Sequence, residues 1–241
     1  MKTIELVFFD AGGGHRSAAN ALCEVARREQ RPWDMRMMNL QELLDDLDVF
    51  RKITGLRLED VYNLVLRRGW TLGSKELLVP MHAMIRLFHS QQVRRLTRYW
   101  SAAALSGNKP DMVVSVIPNF NRALFQGVRS ALPGVPFVTI LTDMADYPPH
   151  FWLERQGPQY VICGTERARQ QALALGHAPE RVFTVSGMIL NPRYYEAPPV
   201  DRERERVALG LDPKLEAVLR ALSGKVRMHV EGFTNQVPRF M

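Results

Sequence analysis

The sequence predicts an α/β protein, a Rossmann-like and mainly parallel sheet with helices on both faces. Short apolar, β-rich runs recur at Ile4 to Phe9, Asp34 to Met38, Met112 to Ile117, Phe137 to Leu141, Tyr160 to Cys163 and Val182 to Val185, with helical or loop sequence between them. The first run stops at Gly12, Gly13 and Gly14, which open directly into an alanine-rich segment. A third observation concerns the residues just past the predicted strands. His15, Asn119, Asp143 and Gly187 all fall there, and a parallel sheet gathers its ligands beyond the carboxyl ends of its strands.

Taken in order, Leu6 to Ala19 predicts a strand, a tight turn and a helix. Lacking Cβ atoms, Gly12, Gly13 and Gly14 allow a sharp bend and bring backbone N–H groups close to a ligand, and the helix N-terminus adds partial positive charge. His15 falls in or beside the first helical turn. The dipole disfavours an imidazolium there, so a neutral ring is available to take a proton from a bound hydroxyl. The plainer alternative is a Rossmann-type turn whose histidine caps the helix or faces solvent. Gly12-x-Gly14-x-x-Ser17 only approximates the dinucleotide fingerprint, and the second predicted strand ends Met37-Met38-Asn39 without an acid for a ribose, which argues against NAD. No Lys-Ser or Lys-Thr follows the glycines, which argues against a P-loop.

The connection from Leu40 to Pro110 is longer than a crossover helix requires, and Gln41 to Phe50 and Leu56 to Arg68 look helical within it. Pro80 to Trp100 is apolar at Met81, Met84, Ile85, Phe88, Leu96 and Trp100 and basic at Arg86, Arg94, Arg95 and Arg98. That pattern suits an interfacial helix on an anionic membrane. It equally describes a core-packed helix with a solvated basic face. Past the fourth strand, Thr142 to Trp152 combines acids, a double proline, His150 and two aromatics, as a binding loop at a strand end does. Asp143 either orients His15, accepts a hydrogen bond from an acceptor hydroxyl, or caps a turn. His150 reads as a pocket wall or structural residue, since no partner lies at metal-ligand spacing. Gly164-Thr165-Glu166 opens another helix, and Val185 to Pro192 closes the sheet. Pro198-Pro199 and the charge run Asp201 to Arg206 read as a linker. The domains expected are therefore 1–195 and a short remainder, 196–241, with one helix over Pro213 to Leu222.

Composition bounds the partners. With 241 residues and 46% apolar content the chain suffices for one Rossmann-like domain, and two would be cramped. A formal charge of +7 favours an anionic partner: an acidic lipid surface, a phosphorylated ligand or nucleic acid. No nucleic-acid motif supports the last. The two cysteines, Cys23 and Cys163, form no paired motif, as in a reduced, cytosolic chain. Met1 to Ile4 begins no signal peptide and no apolar run spans a bilayer, so membrane contact is expected to be peripheral, on the cytoplasmic inner face.

Asp10 to Ala18, with Gly-Gly-Gly-His at its centre, the Thr142 to Trp152 loop and Ser186 to Pro192 together resemble the monogalactosyldiacylglycerol synthase and processive diacylglycerol glucosyltransferase family. The likeness covers about the first four-fifths of the chain, judged against the one-domain expectation. It implies the N-terminal half of a GT-B fold that binds a lipid acceptor, with a UDP-sugar held by a C-terminal domain. His15 stands where the family has its catalytic histidine, with Asp143 as a second candidate. Gly12, Gly13, Gly14, Asn119, His150 and Trp152 become the expected acceptor contacts. The resemblance also favours the membrane reading for Met84, Ile85, Arg86, Phe88, Arg94, Arg95, Arg98 and Trp100. Gly232, Phe233 and Thr234 resemble a remnant of the donor site, reached almost directly after Leu209 to Pro213, where the family has much of a Rossmann half. The expected reaction is hexose transfer from a UDP-sugar to diacylglycerol, without metal or organic cofactor, and weak or absent in this chain alone. The alternative is a peripheral lipid-binding module without chemistry.

Overall fold

Along β1 (Lys2–Phe8) the side chains alternate between two apolar layers: Leu6 and Phe8 join one cluster and Val7 another. The computed structural model that shows this describes residues 1–10, 13–45, 82–83, 85–155, 157–196, 201, 204 and 208. The chain divides into two compact units, Met1–Asn191 and Pro192–Met241.

The first unit is built on one sheet of six strands, all parallel, in the order β2-β1-β3-β4-β5-β6. The strands after β1 are β2 (Trp33–Asn39), β3 (Met112–Ser115), β4 (Phe137–Ile140), β5 (Tyr160–Cys163) and β6 (Val182–Thr184). The expected Rossmann-like sheet is thus present, with strand ends displaced by one or two residues. Leu6 of β1 pairs with Met37 on one side and Val114 on the other. The chain therefore moves outward from β1 to β2 and returns to the opposite flank of β1 at β3. That reversal leaves a crevice at the carboxyl ends of β1 and β3.

Helices cover both faces. On one, α1 (Gly14–Arg28) buries Ala18, Ala19, Ala21 and Ala26, small residues that let the helix lie close to the strands. Ala19 meets Leu6, Phe8, Val114, Val116, Val138 and Ile140 there. The other face is covered by α2 (Leu40–Leu44), α3 (His89–Leu105) and α4 (Asn121–Ala131), which pack Leu40, Leu96, Trp100, Leu124 and Val128 on Val7, Val113 and Phe137. The last helix, α5 (Glu166–Ala174), is capped by Thr165, whose Oγ1 accepts from the Ala168 N–H at 3.1 Å.

One position expected at a membrane is corrected by this packing. Trp100 is 0% exposed, and its indole N–H donates to buried Glu5 of β1 at 2.6 Å while the Tyr99 hydroxyl donates to the other carboxylate oxygen at 2.8 Å. A helical stripe that fills the core cannot also face a bilayer, and Leu96 at 0% exposure shares that face. Arg86, Arg94 and Arg98 are exposed, Arg95, Ile85 and Phe88 are partly exposed, and Met84 lies outside the described residues. The helix expected over Gln41 to Phe50 is seen as α2, and the remainder of that segment and Leu56 to Arg68 lie outside the described residues.

Among the described residues of the second unit a 3-10 turn spans Pro192–Tyr194, and the Arg204 N–H donates to Asp201 Oδ1 at 3.2 Å. Gly232, Phe233, Thr234 and the helix expected over Pro213 to Leu222 lie outside the described residues.

Helices α3 and α4 approach closely because Gly127 has no side chain: a Cβ there would stand 2.7 Å from Leu96 Cβ and 3.0 Å from Trp100 Cζ3. Gly127→Ala adds up to about 1 kcal/mol of helix propensity, whereas overpacking a filled core costs about 1–3 kcal/mol. Leu96 Cβ is anchored to backbone and cannot swing aside, so overpacking wins. Urea unfolding is expected to show a net loss of about 1–2 kcal/mol.

Candidate functional site

The crevice between β1 and β3 receives three loops. After β1 the chain turns through Gly13, whose φ of 74° is left-handed, and enters α1 at Gly14, with no side-chain cap. A Cβ on Gly13 or Gly14 would meet nothing within 4 Å, so the space over the turn is open. Gly12 lies outside the described residues. Beside the turn, Arg16 forms an ion pair with Asp10, and its guanidinium lies 4.5 Å from the centre of the Phe8 ring.

His15 occupies the first turn of α1, where no acidic residue offsets the helix dipole. Its Nδ1 is 2.8 Å from the carbonyl oxygen of Val116, just past β3. A carbonyl only accepts, so Nδ1 carries the proton and Nε2 keeps its lone pair. Thr142 Oγ1, past β4, lies 3.4 Å from the same Nδ1. Burial lowers the His15 pKa below the ordinary value, partly opposed by the Val116 hydrogen bond and by the negative charge of Asp143. Burial and this tautomer both favour the neutral ring, and among the described residues Nε2 accepts no hydrogen bond.

The expected role of Asp143 as the residue that orients the ring is corrected. That task belongs to the Val116 carbonyl. Asp143 is exposed, accepts the Trp152 indole N–H on Oδ2 at 2.7 Å, and acts on His15 through its charge. Trp152 is corrected too: at 1% exposure it presents almost no surface to an acceptor. Its ring stands 6.0 Å from that of His15 and backs the site.

Three side chains that sequence reasoning missed hold this loop. Asp146 is 3% exposed and accepts the N–H groups of His150 at 2.8 Å and Trp152 at 2.7 Å, with Leu153 more distant at 3.4 Å. Gln171 of α5 secures the Asp146 backbone, accepting its N–H at 2.9 Å and donating to its carbonyl at 3.1 Å. Asn121, also buried, donates through Nδ2 to Ile117 O and Trp152 O, each at 3.0 Å. The sequence signal for Asp146 was its place four residues before His150 in a proline-rich turn. Nothing in the sequence singles out Asn121.

Asn119 and His150 take left-handed backbone conformations, with φ of 68° and 65°. The Asn119 N–H donates to Phe151 O at 2.6 Å, and its Oδ1 is 2.8 Å from His82 Nε2. His82 also packs on Phe151, ring centres 5.9 Å apart. The loop after β3 thus joins the loop after β4 through Asn119 and Phe151, and the latter loop reaches His15 through Trp152 and Asp143. Gly187 has a packing part instead: it passes so close to Gly164 that a Cβ on the latter would stand 2.7 Å from Gly187 O.

Fold and site together define a Rossmann-like α/β protein with a partly buried histidine, His15, at its topological switch point. The chain is distantly related to the monogalactosyldiacylglycerol synthases. It is 27% identical over 229 residues to the probable monogalactosyldiacylglycerol synthase 2, chloroplastic, of Oryza sativa subsp. indica, covering 90% of this chain and 45% of that protein. Monogalactosyldiacylglycerol synthase 1, chloroplastic, of Arabidopsis thaliana is 26% identical over 240 residues, covering 90% of this chain and 39% of the relative. Monogalactosyldiacylglycerol synthase 3, chloroplastic, of the same plant is 25% identical over 233 residues, covering 91% and 45%. The chain thus spans less than half the length of these curated relatives. No model of a protein family matches it. Among solved structures, the UDP-GlcNAc 2-epimerase of Neisseria meningitidis bound to UDP-GlcNAc is similar at 11% identity and a TM-score of 0.41, covering 76% of this chain and 45% of the other. A putative UDP-N-acetylglucosamine 2-epimerase of Listeria monocytogenes gives 12% and 0.40, with the same coverage.

His177 extends the titration argument. It is 3% exposed, with Nε2 3.0 Å from Glu154 O and a buried Nδ1 that has no hydrogen-bond partner. Burial lowers its pKa, as it does for His15. A histidine with a lowered folded pKa binds its proton more readily when unfolded, so its contribution to stability falls as pH drops through the ordinary value of 6.5 toward the folded one. Urea midpoints at pH 7.5 and 5.5 are expected to show a smaller acid loss for His177→Gln than for the unsubstituted chain.

Proposed function

We propose that this chain supplies the acceptor side of a glycosyltransferase of glycolipid synthesis, moving a hexose from a UDP-sugar to the sn-3 hydroxyl of diacylglycerol. The observation that carries the reading is the His15 tautomer. The His15 Nδ1–H donates to the Val116 carbonyl, and Nε2 is left as an acceptor on the residue that follows the open glycine turn. The names of the curated relatives support the substrate class. In this reading the 1–195 domain is the N-terminal half of a GT-B arrangement.

An alcohol is a poor nucleophile until a base assists it. Nε2 withdraws the hydroxyl proton as the oxygen forms its bond to the anomeric carbon. The bond from that carbon to UDP breaks, and its electron pair leaves with UDP. The imidazolium formed faces the Asp143 carboxylate charge, which stabilises it until the proton passes to solvent. Gly13, Gly14, Asn119 and His150 border the acceptor hydroxyl. The reading assigns no step to a metal or organic cofactor, and the UDP-sugar is a substrate. In this reading the UDP leaving group needs positive charge, which falls to a donor-binding domain.

The assay is hexose transfer from UDP-galactose or UDP-glucose to diacylglycerol in detergent micelles. His15→Ala is expected to lower whatever turnover the chain supports by at least about a hundredfold. Unchanged turnover in that variant overturns the base assignment.

A peripheral membrane location, on the cytoplasmic inner face, goes with this reading, and a non-catalytic lipid-binding module is the second one. Both draw on exposed Arg86, Arg94 and Arg98 and on Leu87, 77% exposed. None of the described helices is long and apolar enough to cross a membrane. Flotation with anionic vesicles is expected to recover the chain and to lose it as salt is raised. Flotation together with no transfer and no UDP affinity favours the module.

A further inference from the structure

The described contacts link Trp152 to the base through Asp143. The Trp152 indole N–H reaches Asp143 Oδ2 at 2.7 Å, a charge-assisted hydrogen bond, and the indole ring stands 6.0 Å from the His15 ring. Asp143 is exposed, so without that donor its carboxylate is free to turn toward water. Trp152 has no such freedom. Its N–H is bound by Asp146 Oδ1 at 2.7 Å and its carbonyl by Asn121 Nδ2 at 3.0 Å, and both of those side chains are buried. The same Asn121 nitrogen grips Ile117 O at 3.0 Å, one residue beyond the Val116 carbonyl that orients His15. The backbone that fixes the base and the backbone that fixes the tryptophan are tied at one amide.

We propose that Trp152 is a positioning residue, which holds the Asp143 carboxylate in place relative to His15 and is itself held for that purpose by Asn121 and Asp146. The significance for catalysis rests on the reading of His15 as the base. The arrangement itself does not, and it is open to measurement without turnover. Asp143 is the charged group that acts on His15, so whatever displaces its carboxylate alters the titration of the ring.

The test is NMR on the full chain, with histidine and tryptophan labelled with nitrogen-15. With Trp152 intact, Asp143→Asn is expected to move the Trp152 indole N–H resonance upfield and to leave those of Trp33 and Trp100 in place, because a neutral amide is a weaker acceptor. Histidine spectra across pH are then recorded for Asp143→Asn, Trp152→Phe and the double variant. Asp143→Asn is expected to shift the His15 titration to lower pH. Trp152→Phe, which keeps an aromatic ring of smaller size and removes the donor, is expected to shift it the same way, with no further shift in the double variant. The proposal is overturned by a Trp152 indole resonance that ignores Asp143→Asn. It is equally overturned if Trp152→Phe leaves the His15 titration unchanged, moves it upward, or shifts it as much in the Asp143→Asn background as alone. Should Trp152→Phe not fold, the indole resonance decides. The expected shifts in a chain without transfer activity would leave the positioning intact and remove the assigned reaction.

Discussion

Everything at the candidate site depends on one hydrogen bond across the reversal of the sheet, from His15 Nδ1 to the Val116 carbonyl at 2.8 Å. His15 arrives from β1 through the glycine turn, and Val116 from β3, the strand that the chain reaches only after passing out to β2 and back. A parallel sheet whose order reverses there leaves the first turn of α1 and the end of β3 facing each other with no strand between them. The carbonyl decides the chemistry of the ring, since an obligate acceptor on one nitrogen leaves the lone pair on the other. A donor in the same place would have reversed the tautomer and turned Nε2 into a proton donor.

The electrostatics of the ring are a balance rather than a single effect. Burial lowers its pKa most, and the Val116 hydrogen bond and the Asp143 carboxylate oppose it. A base must be neutral before transfer and must tolerate charge during it. Burial and the α1 dipole serve the first requirement, and an exposed carboxylate at a distance serves the second. A carboxylate bonded directly to the ring would raise the pKa further and favour the charged form before any substrate arrives. The Trp152 indole occupies Oδ2 of Asp143 at 2.7 Å, so the carboxylate contributes charge without that bond.

Much of this was legible in the sequence, for identifiable reasons. The strands were legible because each is a short run of β-branched and apolar residues bounded by turns, and Tyr160–Cys163 coincides with its expected bounds. His15 was legible because a glycine turn between strand and helix leaves few places for the next side chain to go. Periodicity, by contrast, fixes which residues share a face of α3 but not what that face touches. Leu96 and Trp100 lie inward with Gln92, at i, i+4 and i+8, and the same spacing would serve a membrane contact equally well. The partners of His15, Trp152 and Asp143 were illegible for a different reason. Val116 contributes only backbone, which no side-chain pattern reveals, and Asn121 and Asp146 act on main-chain groups far away in sequence.

The inward turn of Trp100 also limits how strongly the proposed membrane contact can hold. With that indole committed to Glu5, the exposed groups on which the proposed contact draws are Arg86, Arg94 and Arg98, with Leu87 at 77% exposure. Each arginine near an anionic surface contributes about 1 kcal/mol. Inserting one leucine contributes about 1.5–3 kcal/mol. The sum, roughly 4.5–6 kcal/mol, corresponds to dissociation in the range of tens to hundreds of micromolar. A surface of this kind supports repeated visits to a bilayer rather than permanent residence. In the proposed reading such visits suffice, because the hydroxyl of an acceptor that never leaves the membrane has only to reach Nε2 of His15 while the protein is in contact.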